Sequence, residues 1–280
     1  TWSNYEIIVV ENNSTTPEIK DYYSQLLGLS GDDSYEERCK LHTVCGHDGG
    51  ILHSGDGRIS IVTYQGDFNY SAVNDLGASY ASGEYILLLN NDTEVITANW
   101  MEEMLMYAQR EDVGAVGAKL YYADKTIQHA GVVIGLGAHR TAGHTHYRIP
   151  VQNLGYMGRL CYTQNVTAVT GACLLVKKSL YEQVGGLDES YAVAFNDVDF
   201  CVRVRQAGYT NVFTPFAQLY HYESKSRGTE DNPEKQKRFQ GEVLRFQARW
   251  GDLLAAGDPC TNPNFDIQRE DFSLKILPLE

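Results

Sequence analysis

The chain contains no apolar run long enough to cross a bilayer, and its first residues lack the charged and apolar regions of a secretory signal. Basic residues are scarce: 23 Lys and Arg stand against 36 Asp and Glu, a net charge of −13. That balance excludes a nucleic-acid backbone as the main partner. It leaves room for a small phosphorylated ligand, because a metal ion can supply positive charge locally. Cysteine is sparse, with Cys39, Cys45, Cys161, Cys173, Cys201 and Cys260 scattered through 280 residues. No disulfide framework is therefore expected, and a reducing cytoplasm is the expected compartment. Repeats and low-complexity linkers are absent, so one domain with a C-terminal extension is the simplest partition. An initiator methionine is also absent, and Ile7-Ile8-Val9-Val10 reads as a core strand soon after Thr1. A fragment of a longer polypeptide with further domains is the expectation.

What is present alternates between the periods of strand and helix, which predicts an α/β fold with a mostly parallel sheet. Strands are predicted at Tyr5–Val10, Ile59–Thr63, Tyr85–Leu89, Val113–Tyr121 and Ala168–Val176. Helices are predicted from Pro17 to about Leu27, and over Asn69–Ala81, Asn99–Arg110, Ser179–Val184, Asp197–Ala207 and Pro233–Trp250. The polar, glycine-rich stretches 31–57 and 134–164 read as irregular excursions, and loops of that length in a compact domain are more often functional than idle.

The most telling stretch is Tyr85-Ile86-Leu87-Leu88-Leu89, an apolar run that stops at Asn90-Asn91-Asp92-Thr93-Glu94. Such a strand, buried on both faces, would deliver Asp92 to the carboxyl end of the sheet, where α/β folds bind ligands. A carboxylate there suits a divalent metal that carries phosphates. Taken alone, the same residues are equally consistent with a turn capping a following helix. Two other acidic clusters sit similarly: Glu11 ends the first strand, and Asn196-Asp197-Val198-Asp199 opens a helix. A carboxylate in the last cluster can serve as a general base, or merely complement the helix N-terminus.

These motifs, in this order, resemble family 2 glycosyltransferases of the GT-A fold. The resemblance is carried by Val9-Val10-Glu11-Asn12-Asn13-Ser14-Thr15, Phe68-Asn69-Tyr70-Ser71-Ala72-Val73-Asn74, the Gly83–Glu94 stretch, Thr170-Gly171-Ala172-Cys173-Leu174-Leu175-Val176, Gly185-Gly186-Leu187-Asp188-Glu189 and Phe195-Asn196-Asp197-Val198-Asp199-Phe200. It runs from Tyr5 to about His221. His221-Tyr222-Glu223-Ser224 and Asp258-Pro259 resemble the bacterial surface-polysaccharide branch, rhamnosyltransferase-like enzymes included. The resemblance implies a GT-A (Rossmann-like, nucleotide-diphospho-sugar transferase) domain over 1–232, with a C-terminal helix and tail, 233–280, packing on it. It also implies a further strand and helix, about thirty residues, ahead of Tyr5.

The roles implied by the resemblance fall on particular residues. Glu11 and Asn13 would face the nucleoside of a nucleotide-diphosphate sugar. Asn90-Asn91-Asp92 stands where the family carries Asp-x-Asp, so Asp92 would bind Mg2+ or Mn2+ and the diphosphate, with Asn90 a neutral partner and Asn91 between them. His221 would complete the metal site. Asp197 would be the catalytic base, and Gly171 and Asp188 would line the sugar and acceptor pocket. The implied reaction is an inverting transfer to a saccharide or lipid-linked acceptor. Asn90 and Asn196, standing in place of acids, support the alternative of a non-catalytic sugar-nucleotide-binding or scaffolding module. A nucleotidyltransferase is a third reading, disfavoured by the Asn-Asp-Val-Asp helix start.

Weaker signals divide similarly. Cys39, His42, Cys45 and His47 match no standard zinc spacing, and an ordinary loop is the default. His129, His139, His144 and His146 lie in or near the second long excursion; Gln128-His129-Ala130-Gly131 and Gly143-His144 resemble the polysaccharide branch, with an acceptor-side role in view, while satisfied hydrogen-bonding histidines are the favoured reading for most of them. The basic helix bearing Lys235, Lys237, Arg238, Arg245 and Arg249 has the composition for peripheral contact with an anionic inner membrane face. Packing of its apolar side on the domain is the favoured reading.

Overall fold

The computed structural model describes residues 2–31, 33–44, 51–137, 139–223, 232–269 and 272–276. In chain order the elements are β1 (Ile7–Glu11), α1 (Pro17–Leu27), α2 (Tyr35–Val44), β2 (Leu52–His53), β3 (Ile59–Thr63), α3 (Tyr70–Tyr80), β4 (Tyr85–Leu89), β5 (Thr93–Val95), α4 (Trp100–Ala108), β6 (Val113–Tyr121), β7 (Ile127–His129), β8 (Val132–Ile134) and β9 (Ala142–His144). They continue with β10 (Gln164–Val166), β11 (Cys173–Lys177), α5 (Lys178–Gln183), α6 (Asn196–Gln206), β12 (Thr210–His221), α7 (Pro233–Arg249) and α8 (Gly251–Ala256).

The main sheet runs β10-β12-β6-β11-β4, with β5 pairing the end of β12 and β7 pairing β6. A smaller sheet runs β1-β3-β2. The α/β class stands and the sheet is mixed, but its balance differs from the expected one. Among the described residues the parallel pairs are β1 with β3 and β6 with β12; the others are antiparallel. β4 shows why this matters. Ile86 and Leu88 enter one core while Tyr85 and Leu87 pack on the other side, so both faces are covered as its apolar run implies. Its neighbour β11 nevertheless runs the opposite way, with Cys173 opposite Leu89. That reversal brings the loop ahead of β11 back beside Asn90.

The two sheets share no ladder among the described residues, and α3 joins them. Val10 of β1 lies against Gly77, and Ala78 belongs to the cluster holding Ile86 and Leu88. The Glu6 carboxylate adds a polar tie, accepting the backbone N–H groups of Ser82 and Gly83 at 2.7 and 3.0 Å. α7 buries Val243 and Phe246, with Phe246 against Tyr191 and Phe195.

The stretch 31–57, expected to be irregular, contains α2 and β2. Cys45 and His47, part of the zinc reading, lie outside the described residues. No helix among the described residues is long and apolar enough to cross a membrane.

Candidate active site

Asn90-Asn91-Asp92 leads into a strand, not a helix, which removes the capping explanation for its polar residues. β5 pairs antiparallel with the end of β12, setting Thr93 opposite His221. The Asp92 carbonyl accepts the Tyr222 N–H at 2.8 Å. Register thus places the two side chains together: His221 Nε2 lies 3.1 Å from Asp92 Oδ1 and 3.2 Å from Asn90 Nδ2. Asn91 is exposed and makes no side-chain hydrogen bond among the described residues.

The opposite face of His221 meets Gln128, whose Nε2 is 2.8 Å from Nδ1. The same amide nitrogen donates to Glu223 Oε2 at 3.2 Å. In this arrangement Nδ1 accepts from Gln128, and Nε2 faces both the Asp92 carboxylate and the donor amide of Asn90. Gln128 Oε1 is buried with no hydrogen-bond partner. Turning the amide over would set that oxygen against Nδ1–H and free the Nε2 lone pair, with exposed Glu223 turning to water. The donor set then fits a divalent metal. A carboxylate oxygen and an imidazole nitrogen 3.1 Å apart match adjacent ligands on one ion, since bonds of about 2.1 Å at right angles put donors about 3.0 Å apart. No group of three His, Cys, Asp or Glu ligands occurs among the described residues, so phosphate oxygens and water would have to fill the remaining positions.

The loop before β11 links this pair to Asp197. Ala172 accepts the Asn90 N–H through its carbonyl at 3.0 Å. Gly171 donates its N–H to Asp197 Oδ2 at 2.8 Å, and Thr170 donates to His129 Nε2 at 3.4 Å. Asp197 also receives the Val198 N–H on Oδ1 at 2.8 Å. Phe195, at φ 64°, makes the sharp turn that starts α6. Gly171 must be small, because a Cβ there would sit 2.7 Å from the Tyr70 hydroxyl, which itself donates to the Gly171 carbonyl at 2.8 Å. Burial, with the nearby Asp197 charge, pushes the Tyr70 phenol well above its usual range and keeps it a donor. From α7, Glu242 accepts the Val193 and Ala194 N–H groups at 2.9 and 3.2 Å and fixes the approach to α6.

Other expected residues are engaged differently. Glu11 accepts the Ser14 N–H and hydroxyl and the Tyr23 hydroxyl, at 2.6, 2.7 and 2.6 Å. Its carboxylate braces the β1–α1 turn. Asn13, at φ 57°, donates to the Gly66 carbonyl at 3.0 Å and so staples two loops. Asp188 receives Ser190 N–H and Arg249 Nη1 at 2.9 and 2.6 Å. Partial burial works the other way, yet these bonds hold its carboxyl below the usual range. Asp199 is fully buried and anchors α6 through Arg203, Trp250 and Arg249. The sequence points to Gln128 only through the Gln128-His129-Ala130-Gly131 resemblance, with an acceptor-side role in view; its place behind His221 comes from the fold.

Residues 56–251 match the family model described as Glycosyltransferase like family 2. The chain is 44% identical over 274 residues to the uncharacterized protein y4gI of Sinorhizobium fredii, covering 98% of this chain and 27% of that one. It is 33% identical over 278 residues to the O-antigen biosynthesis protein RfbC of Myxococcus xanthus, covering 99% of this chain and 19% of that one. It therefore spans about a quarter or less of the length of these relatives. The fold is similar to that of GalNAc-T7 solved with UDP, GalNAc and Mn2+, with a TM-score of 0.60 and 14% identity over 89% of this chain and 43% of that chain. The chain belongs to glycosyltransferase family 2 and carries its GT-A fold.

Proposed function

We propose that this chain transfers a sugar from a nucleoside-diphosphate donor to a saccharide or lipid-linked acceptor, with inversion, in the synthesis of a bacterial cell-surface polysaccharide. Asp197 is the base in this reading. Backbone N–H groups hold each of its oxygens, which fixes the carboxylate and leaves further lone pairs to take the acceptor hydroxyl's proton as that oxygen attacks the anomeric carbon. Attack opposite the leaving diphosphate inverts the centre, through an oxocarbenium-like transition state. Asp92 and His221 would hold a divalent ion, which when bound neutralises charge on the leaving diphosphate. Glu11, Asn13 and Asn91 retain a donor-side assignment, and Gly171 and Asp188 one at the sugar pocket wall. The named role of RfbC in O-antigen biosynthesis supports the polysaccharide setting, and the Mn2+ and UDP bound to GalNAc-T7 support the cofactor. A place at the inner membrane face follows if the acceptor is lipid-linked.

The observation that supports the reading is the three-residue loop Thr170–Ala172, whose Ala172 carbonyl accepts from Asn90, two residues before Asp92, while its Gly171 N–H holds Asp197. The test is a screen of nucleotide sugars for Mn2+- or Mg2+-dependent binding and turnover, with Asp197→Asn beside the wild type. The reading expects kcat to fall by about 10²–10⁴ while donor affinity stays within about twofold. Metal-dependent turnover undiminished in Asp197→Asn removes the base assignment, and no binding of any nucleotide sugar removes the reading.

A further inference from the structure

His129 and His144 form a pair that the reaction as described does not use. His129 ends β7 and is fully buried; His144 ends β9 and is half-buried. Their Nδ1 atoms lie 2.9 Å apart, with the rings nearly perpendicular at 85°. Two ring nitrogens at that distance need one proton between them. The far side of His129 decides which ring owns it. There Nε2 faces the backbone N–H groups of Gly131 and Thr170, each at 3.4 Å, and both can only donate. Nε2 of His129 is therefore the acceptor, and Nδ1 carries the proton and donates it to His144. With its Nδ1 occupied as an acceptor, neutral His144 has its own proton on Nε2.

That Nε2–H has no hydrogen-bond partner among the described residues, on a residue that is half-buried. The ring lies within electrostatic reach of Asp197, Glu223 and His221. Burial keeps its imidazole below the usual histidine range despite the pull of those two carboxylates. The link to Asp197 is also structural, because the consecutive amides of Thr170 and Gly171 hold His129 and Asp197 respectively. A neutral, fixed N–H suits an uncharged hydroxyl better than a phosphate, which would call for a cation.

We infer that His144 is a saccharide-binding residue, donating Nε2–H to a hydroxyl oxygen of the acceptor sugar beside Asp197, and that His129 is the positioning residue that sets its tautomer. The inference rests on reading the Asp197 cleft as the acceptor site. It supplies what that reading lacks, a group that orients the acceptor ring without competing for its proton.

The test is long-range 1H–15N spectroscopy of histidine-labelled protein near neutral pH. The expected spectrum has His129 protonated at Nδ1 and His144 at Nε2. Methyl α-L-rhamnopyranoside, methyl β-D-glucopyranoside and methyl N-acetyl-β-D-glucosaminide serve as probes, with inorganic phosphate as control. At least one glycoside is expected to shift the His144 Nε2–H signal, and phosphate is not. That glycoside should bind about three- to tenfold more weakly to His144→Phe, as for loss of one neutral hydrogen bond. His144→Gln, which keeps an N–H at the end of its side chain, should recover most of the affinity. An Nδ1–H tautomer at His144, a silent Nε2–H with all three glycosides, or a response to phosphate alone overturns the inference. The tautomer and the binding are read without turnover, so they stand or fall separately from the assignment of Asp197 as base.

Discussion

Gln128 and His221 are joined by a 2.8 Å hydrogen bond from the side-chain amide to Nδ1, on the side of the imidazole away from Asp92. A histidine that ligates a metal through one nitrogen needs its other nitrogen held, because that bond fixes both ring orientation and tautomer. Gln128 is the group that can do this from either face of its amide.

Gln128→Leu keeps the volume and removes the bond. Mn2+ affinity is expected to fall by about 10–100-fold, the usual cost of losing a partner behind a metal-bound histidine. Titration of free Mn2+ by electron paramagnetic resonance measures it directly. Affinity equal to wild type would mean that His221 is not a ligand or that Gln128 does not orient it.

Glu242 connects α7 to the segment leading into Asp197 of the candidate site, although it lies far from it in sequence. Glu242→Ala leaves the Val193 and Ala194 N–H groups without their acceptor, at an expected cost of about 1–3 kcal/mol in urea unfolding. Glu242→Gln keeps one acceptor oxygen and should lose less. Because the freed segment leads into Asp197, kcat should drop in Glu242→Ala with donor affinity retained.

Gly171→Ala tests the close approach of Tyr70. The new methyl would meet the Tyr70 hydroxyl at 2.7 Å and ring carbons at 3.2 and 3.3 Å. Forcing them apart should cost about 1–3 kcal/mol. Tyr70→Phe in the same chain removes the worst contact, so the double variant should be more stable than Gly171→Ala alone. Urea denaturation of the three proteins checks the order, and it separates a steric cause from simple loss of the Tyr70 hydrogen bond, which the double variant also lacks.

Which parts were legible in the sequence follows from how local their causes are. β3 and β6 match their predicted bounds because short apolar runs there end in turn residues. The structure brings Asp92 and His221 of the ordered motifs within 3.1 Å of each other. β12 was not read as a strand: Thr210–His221 contains Pro215, and the register with β6 shifts between Thr214 and Gln218, where a proline is tolerated in a ladder. α2 escaped because its polar sequence has little apolar periodicity. The mainly parallel sheet was a wrong inference from alternation, since alternating elements fix the layers but not the direction of β11. Glu11 ends its strand as expected, yet only the fold reveals Tyr23 on its carboxylate. The His129–His144 pair depends on how β7 and β9 come together, which no spacing encodes.

His146 gives a pH prediction whose sign can be worked out. Its ring is buried against Phe272, with Nε2 lacking a hydrogen-bond partner. Burial, aided by the nearby Arg159 and Lys119 cations, lowers its pKa from 6.5 to about 4. Between those values the unfolded chain takes up a proton that the folded protein refuses, so stability is full above 6.5 and falls as the pH drops toward about 4. From about pH 8 to about pH 5.5 the loss from this group comes to about 1.5 kcal/mol. His129 and His144 are also held low by burial and add to the overall slope, so the measurement is a difference. Urea unfolding of wild type and His146→Asn at both pH values should show the wild type losing about 1.5 kcal/mol more than the variant. Asparagine tolerates the φ of 56° at this position and does not titrate. Parallel slopes in the two proteins would mean that His146 takes up its proton in the folded state, with Nε2–H finding an acceptor that the packing around Phe272 does not provide.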